Sequence, residues 1–156
     1  MTGPPLVIGF GNGLRADDGV GPEVAAWLAA DPRMAGATVL ARHQLTPDLA
    51  ADIARAAFVV LIDASMDQPP GEISVAAIGA SRPSAGASTH HVDPALLVDL
   101  AAELYGRVPE VIVIGVGAAS TDGFDGLSAP VRAAIPRLVD AVVALVDGRT
   151  EGARRA

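Results

Sequence analysis

Apolar and polar positions along this chain follow two rhythms, one of period two and one of period 3.6, and they alternate from segment to segment. Five short segments read as strands: residues 6–10, 38–41, 58–62, 73–78 and 111–116. The first, third and fifth are nearly continuous apolar runs, as expected of strands covered on both faces. Four further segments carry helical spacing. The first spans about 18–29, with Pro22 within its first turn or so, where a missing N–H costs least. The second spans about 47–56 behind Thr46 as N-cap. The third spans about 94–105, with Asp93 as N-cap and Gly106 as the stop. The last runs from about 128 to 146. In it Val131, Ile135, Leu138, Val142 and Leu145 form one buried stripe, and Pro136 predicts a kink or a break.

Strands alternating with helices predict a three-layer α/β/α sandwich on a five-stranded, mostly parallel sheet. Residues 1–148 read as a single domain without repeat or linker, and 149–156 as a polar tail prone to fraying. The longest stretch without a pattern is about 79–92, rich in Ser, Ala, Gly and Pro. A loop of that length in a compact domain is usually functional or mobile, and this one ends at His90 and His91.

Composition narrows the functional classes. The 156 residues are 51% apolar but only 3% aromatic, so Ala, Val, Leu and Ile must fill the core. The net charge of −7 disfavours a nucleic-acid partner. The absence of cysteine excludes a cysteine nucleophile, a thiolate zinc site and disulfides. No apolar run approaches the ~20 residues of a membrane helix. The first residues lack the pattern of a secretory signal, and the absence of cysteine is compatible with the cytoplasm.

The candidate chemistry lies where strands end. The first strand runs into GFGNG and then Asp17 and Asp18 at a helix start. One aspartate suffices to cap the helix, and Asp17 is read as that cap; Asp18 is then the candidate ligand. Asp63 follows the apolar run FVVLI, at the carboxyl end of a central strand, where ligands bind in parallel sheets. The three histidines, His43, His90 and His91, all lie in segments that leave or link elements. Two acids and one imidazole would make a nitrogen/oxygen metal site suited to Ni²⁺, Zn²⁺ or Mn²⁺. Phosphate binding is disfavoured, because the glycine spacing fits no phosphate loop and the chain has no lysine. No HExxH or GxSxG motif occurs.

The segment GFGNGLRADDGVG resembles the N-terminal signature of the hydrogenase maturation endopeptidases, and VVLIDAS, STHHVDPALLVDLAAELYG, EVIVIGVG and GLSAPV extend the resemblance over nearly the whole chain. The resemblance implies an α/β/α fold and a cytoplasmic endopeptidase. Its substrate would be the large-subunit precursor of a nickel–iron hydrogenase, from which it removes a short C-terminal extension after nickel insertion. It also implies that Asp18, Asp63 and His90 form the catalytic, metal-binding triad. The metal would be nickel presented by the substrate, with zinc as an alternative divalent ion. His90 is preferred to His91 because it directly follows Ser88 and Thr89. RHQLTPD stands where many members have an Asp-Gly-Gly-Thr-like segment, which leaves open a part for His43 in recognition. The loop before the histidines is expected to close on the substrate tail. A non-catalytic, metal-dependent binding module or chaperone for the same subunit is the rival reading.

Overall fold

The computed structural model describes residues 2–79 and 92–155. Among them, five strands form one sheet: β1 (Leu6–Phe10), β2 (Thr38–Arg42), β3 (Phe58–Ser65), β4 (Ile73–Ile78) and β5 (Glu110–Gly117). The helices are α1 (Val20–Ala29), α2 (Leu49–Arg55), α3 (Pro94–Tyr105) and α4 (Ala129–Arg155). The strand order is β2-β1-β3-β5-β4, parallel throughout except for β4, which runs antiparallel to β5 at the edge. The expected three-layer α/β/α sandwich is the one observed.

The two faces follow from strand periodicity. Val7, Val60, Ile62, Ile112 and Ile114 point to one side, into a core closed by α1 and α4. Leu6, Ile8, Val59, Leu61 and Val111 point to the other, into a core closed by α2 and α3. The sandwich is tight where α1 crosses β1. A Cβ on Gly9 would collide with the Gly21 carbonyl oxygen, and one on Gly21 would come within 2.7 Å of the Ile62 carbonyl oxygen. Those two glycines let helix and strand approach backbone to backbone, which carries the start of α1 over the sheet edge.

Several boundaries differ from the sequence reading, each for a local reason. A four-residue 3₁₀ turn, Ala16–Gly19, precedes α1, which itself begins two residues later than expected. Pro22 is then the third residue of α1, still among the positions whose N–H has no helical acceptor. The α2 helix begins at Leu49, because residues 46–48 form a tight turn in which the Leu49 N–H donates to the Thr46 carbonyl at 3.1 Å. Thr46 is therefore not its cap. The α4 helix is a single element through Pro136, and it continues to Arg155 across the tail expected to fray. The proline forfeits one backbone bond, while Ile135, Leu138 and Val139 stay buried on the sheet. The tail is held by Arg149 on Glu110 at 2.7 Å and by the Thr150 hydroxyl donating to the Val146 carbonyl at 2.8 Å. By contrast α3 matches its signals. Asp93 accepts from the Leu96 N–H at 2.7 Å, and Gly106 ends the helix with a φ of 67°. No helix among the described residues is long and apolar enough to cross a membrane.

Candidate functional site

In this strand order the chain leaves β1 in one direction toward β2 and returns to β3 on the opposite side. The loops after β1 and β3 therefore diverge, and a crevice opens between the two carboxyl ends, the usual ligand position in an open parallel sheet. A cavity of about 380 Å³ lies there. Asp18 comes to its wall from the loop after β1, Asp63 from β3 itself, and His43 from the residue directly after β2.

Asp18 is placed by its own loop. Gly11, with a φ of 145°, has no room for a side chain against the Asp18 carbonyl oxygen. The chain turns there so that the Asn12 N–H donates to Asp18 Oδ2 at 2.7 Å. Asp63 is more sheltered. Burial, opposed by the Ala64 N–H and reinforced by the negative charge of Asp18, pushes its carboxyl up to about 7. Two carboxylates thus share a cavity in which the second resists ionising. Arg15 also borders the cavity, but its guanidinium reaches Asp122 at 3.2 Å.

Such a pair suits a divalent cation, whose charge would remove the cost of ionising Asp63 and release its proton. The oxygen donors that could hold one are Asp18 and Asp63. Among the described residues no group of three or more His, Cys, Asp and Glu side chains is arranged to hold a metal ion. His43 stands exposed on the same cavity wall. His90, His91 and the expected substrate-closing loop lie outside the described residues. Val92, Asp93 and Pro94, which follow the two histidines in sequence, border the cavity.

The raised Asp63 pKa has a measurable consequence for stability. Between the ordinary carboxyl value and about 7 the folded state holds a proton that the unfolded state has lost, so folding weakens as pH rises through that window. Unfolding free energy of the metal-free protein is expected to fall by on the order of 2 kcal/mol from about pH 4 to pH 7, after discounting for partial exposure. Asp63→Asn should flatten that slope in denaturant titrations. An unchanged slope would mean that Asp63 ionises freely.

Asp17 departs from the sequence reading. It makes no side-chain cap to the turn or helix that follows. Its side chain is buried, 1% exposed, and reaches across to the segment between β5 and α4. Oδ1 accepts from the Ser128 N–H at 2.6 Å; Oδ2 accepts from the Ser128 hydroxyl and the Ala119 N–H, both at 2.8 Å. Burial acts to raise its pKa, but these bonds, Ser128 foremost, outweigh burial and hold it below the usual carboxylate value. The Asp17 N–H also donates to the Ser120 carbonyl at 3.1 Å. The clasp secures a loop in which Ala16 takes a left-handed φ of 46°, uncommon for a residue with a side chain. Sequence reasoning missed Ala119 and Ser128 as partners. The only available signal was the Ser-Ala-Pro start of the last helix, where a serine looks like a cap.

The fold and the crevice together define an α/β sandwich with an acidic pair at its switch point, and the sandwich is similar to solved structures of hydrogenase maturation proteases. The [NiFe] hydrogenase maturation protease HycI from Thermococcus kodakarensis KOD1 superposes with a TM-score of 0.74 at 22% identity over 92% of each chain. The hydrogenase maturating endopeptidase HybD from E. coli gives 0.76 at 22% identity over 93% of each. The hydrogenase 2 maturation peptidase from a Thaumarchaeota archaeon gives 0.69 at 26% identity, over 92% of this chain and 98% of the other. No family model matches the sequence, and no curated protein matches it. The fold is that of the hydrogenase maturation proteases.

Proposed function

We propose that this chain is a cytoplasmic endopeptidase that removes the C-terminal extension of a nickel–iron hydrogenase large-subunit precursor once nickel has been inserted. The observation that carries the reading is the meeting of Asp18 and Asp63 on one cavity, in a fold shared over 92–93% of the chain with maturation proteases. Asp18, Asp63 and His90 engage the nickel of the substrate, and no nucleic acid or membrane takes part. Two carboxylates and an imidazole suit nickel or zinc. The metal supplies Lewis acidity toward the scissile carbonyl. The chain's own acids favour the loaded precursor, because a cation beside the pair relieves the burial and Asp18 charge that raise the Asp63 pKa.

The test is incubation with the large-subunit precursor, nickel-loaded and nickel-free, followed by intact-mass spectrometry. The expected result is loss of a short C-terminal peptide from the loaded precursor alone. Binding without any change of mass would replace the protease with a chaperone-like binding module.

A further inference from the structure

A second groove, of about 390 Å³, starts at the same Asp63 and runs away from the first cavity toward the sheet edge. Strand register fixes its floor. Asp63 pairs with Gly115, and Gly115 with Ser74, so these three form a row across β3, β5 and β4. Leu61, Val113 and Ala76 form the next row. Directly paired residues share a face, and Leu61 and Val113 mark it as the face that α2 and α3 cover. A Cβ at Gly115 would come within 2.7 Å of Ser74 Oγ and 3.4 Å of Gln68 Oε1, so these two side chains fill the space directly above it and leave Val113 and Ala76 as the open floor. The far wall is braced. The Ser74 hydroxyl donates to Gln68 Oε1 at 2.9 Å, and Gln68 Nε2 donates to the carbonyls of Glu72 at 2.6 Å and Gly115 at 3.1 Å.

We infer that this groove is the seat of the substrate chain next to the scissile bond, bound as an extended peptide with small side chains over Val113 and Ala76. The inference rests on the protease reading above. The occupant follows from three features. The groove is continuous with the candidate site, because Asp63 borders both cavities. Its length, two strand spacings or roughly 10 Å, matches about three residues of extended chain. Its open floor at Ala76, small and exposed, admits a backbone lying close to the sheet but leaves no pocket for a bulky side chain. Met66, 60% exposed on the rim, offers an apolar contact that adapts to the passing chain.

Ala76 and Ala77 provide the test, because successive strand residues point to opposite faces. Both are exposed, so a large side chain at either is tolerated by the fold. Ala76→Trp is expected to lower kcat/KM for the nickel-loaded precursor at least about tenfold, mainly through KM, while Ala77→Trp stays within about twofold. Because the chain contains no cysteine, Ala76→Cys and Ala77→Cys also accept a single benzophenone label. Light should then cross-link position 76, and not position 77, to the precursor residues flanking the cut. Normal cleavage by Ala76→Trp, or cross-links from position 76 elsewhere on the precursor, would overturn the groove assignment and leave the protease reading standing. Failure of the unmodified protein to cleave would overturn the protease reading, and the groove assignment with it.

Discussion

Asp18→Asn and Asp63→Asn are each expected to lower precursor cleavage by on the order of 10²–10³-fold, the usual cost of removing one electrostatic group from a reacting centre. Asp63→Asn should not lower the melting temperature. The second half of the expectation gives the experiment its force. A carboxylate that served the fold would take stability with it when replaced. Asp63 does the opposite, because burial and the charge of Asp18 both oppose its ionisation. At neutral pH the asparagine variant discards that conflict and should melt at the same temperature as the parent or higher. Loss of activity with unchanged or improved stability is the pattern of a site kept for function at a cost to folding. Intact-mass kinetics and thermal melts on the same samples decide it. If Asp63→Asn instead melts several degrees lower and still cleaves, Asp63 is a structural group and the acidic pair is not the centre of the chemistry.

The sequence conveys the parts of this fold that are decided locally. Residues 6–10 of β1 and 58–62 of β3 carry no polar side chain because both faces are covered there, and that signal is written in consecutive residues. The start of α3 was legible for the same reason, since Asp93 and the N–H it accepts from are three residues apart. Contacts made across the chain left no such trace. Arg149 holds the last helix to Glu110, 39 positions earlier, and no window of sequence around the tail contains that partner. The reversed direction of β4 is also invisible in the six residues ISVAAI, because strand pattern carries face but not polarity. At the site, Asp18 and Asp63 could be picked out because one lies in the loop after the apolar run of β1 and the other directly follows the apolar run 58–62 of β3. That they share one cavity depends on strand order, which places β1 beside β3.

Asp17 is the instructive failure, and it carries the largest expected effect on stability. Read as a cap, its loss would cost about 0.5–2 kcal/mol. The cross-chain clasp predicts more. Asp17→Ala leaves two N–H groups and a hydroxyl, from Ala119 and Ser128, without their acceptor at a fully buried position. Bonds to a charged group and stranded buried donors together put the loss on the order of 3 kcal/mol. For a chain of this length that is a fall of roughly 6–12 °C in melting temperature. Asp17→Asn should rescue little, because the amide turns two further N–H donors toward groups that already donate. Ser128→Ala, which removes one bond of the three, should cost only about 1 kcal/mol. The pH dependence separates the clasp from ordinary packing. A carboxyl held below its usual pKa stabilises the fold above that value, and the contribution is lost as pH falls through the folded-state pKa. The gap between parent and Asp17→Ala should therefore be full at pH 7 and close progressively in strong acid. A gap that persisted unchanged in acid would assign the loss to the cavity left by the side chain. A melting point within about 2 °C of the parent at pH 7 would return Asp17 to the modest role of a cap.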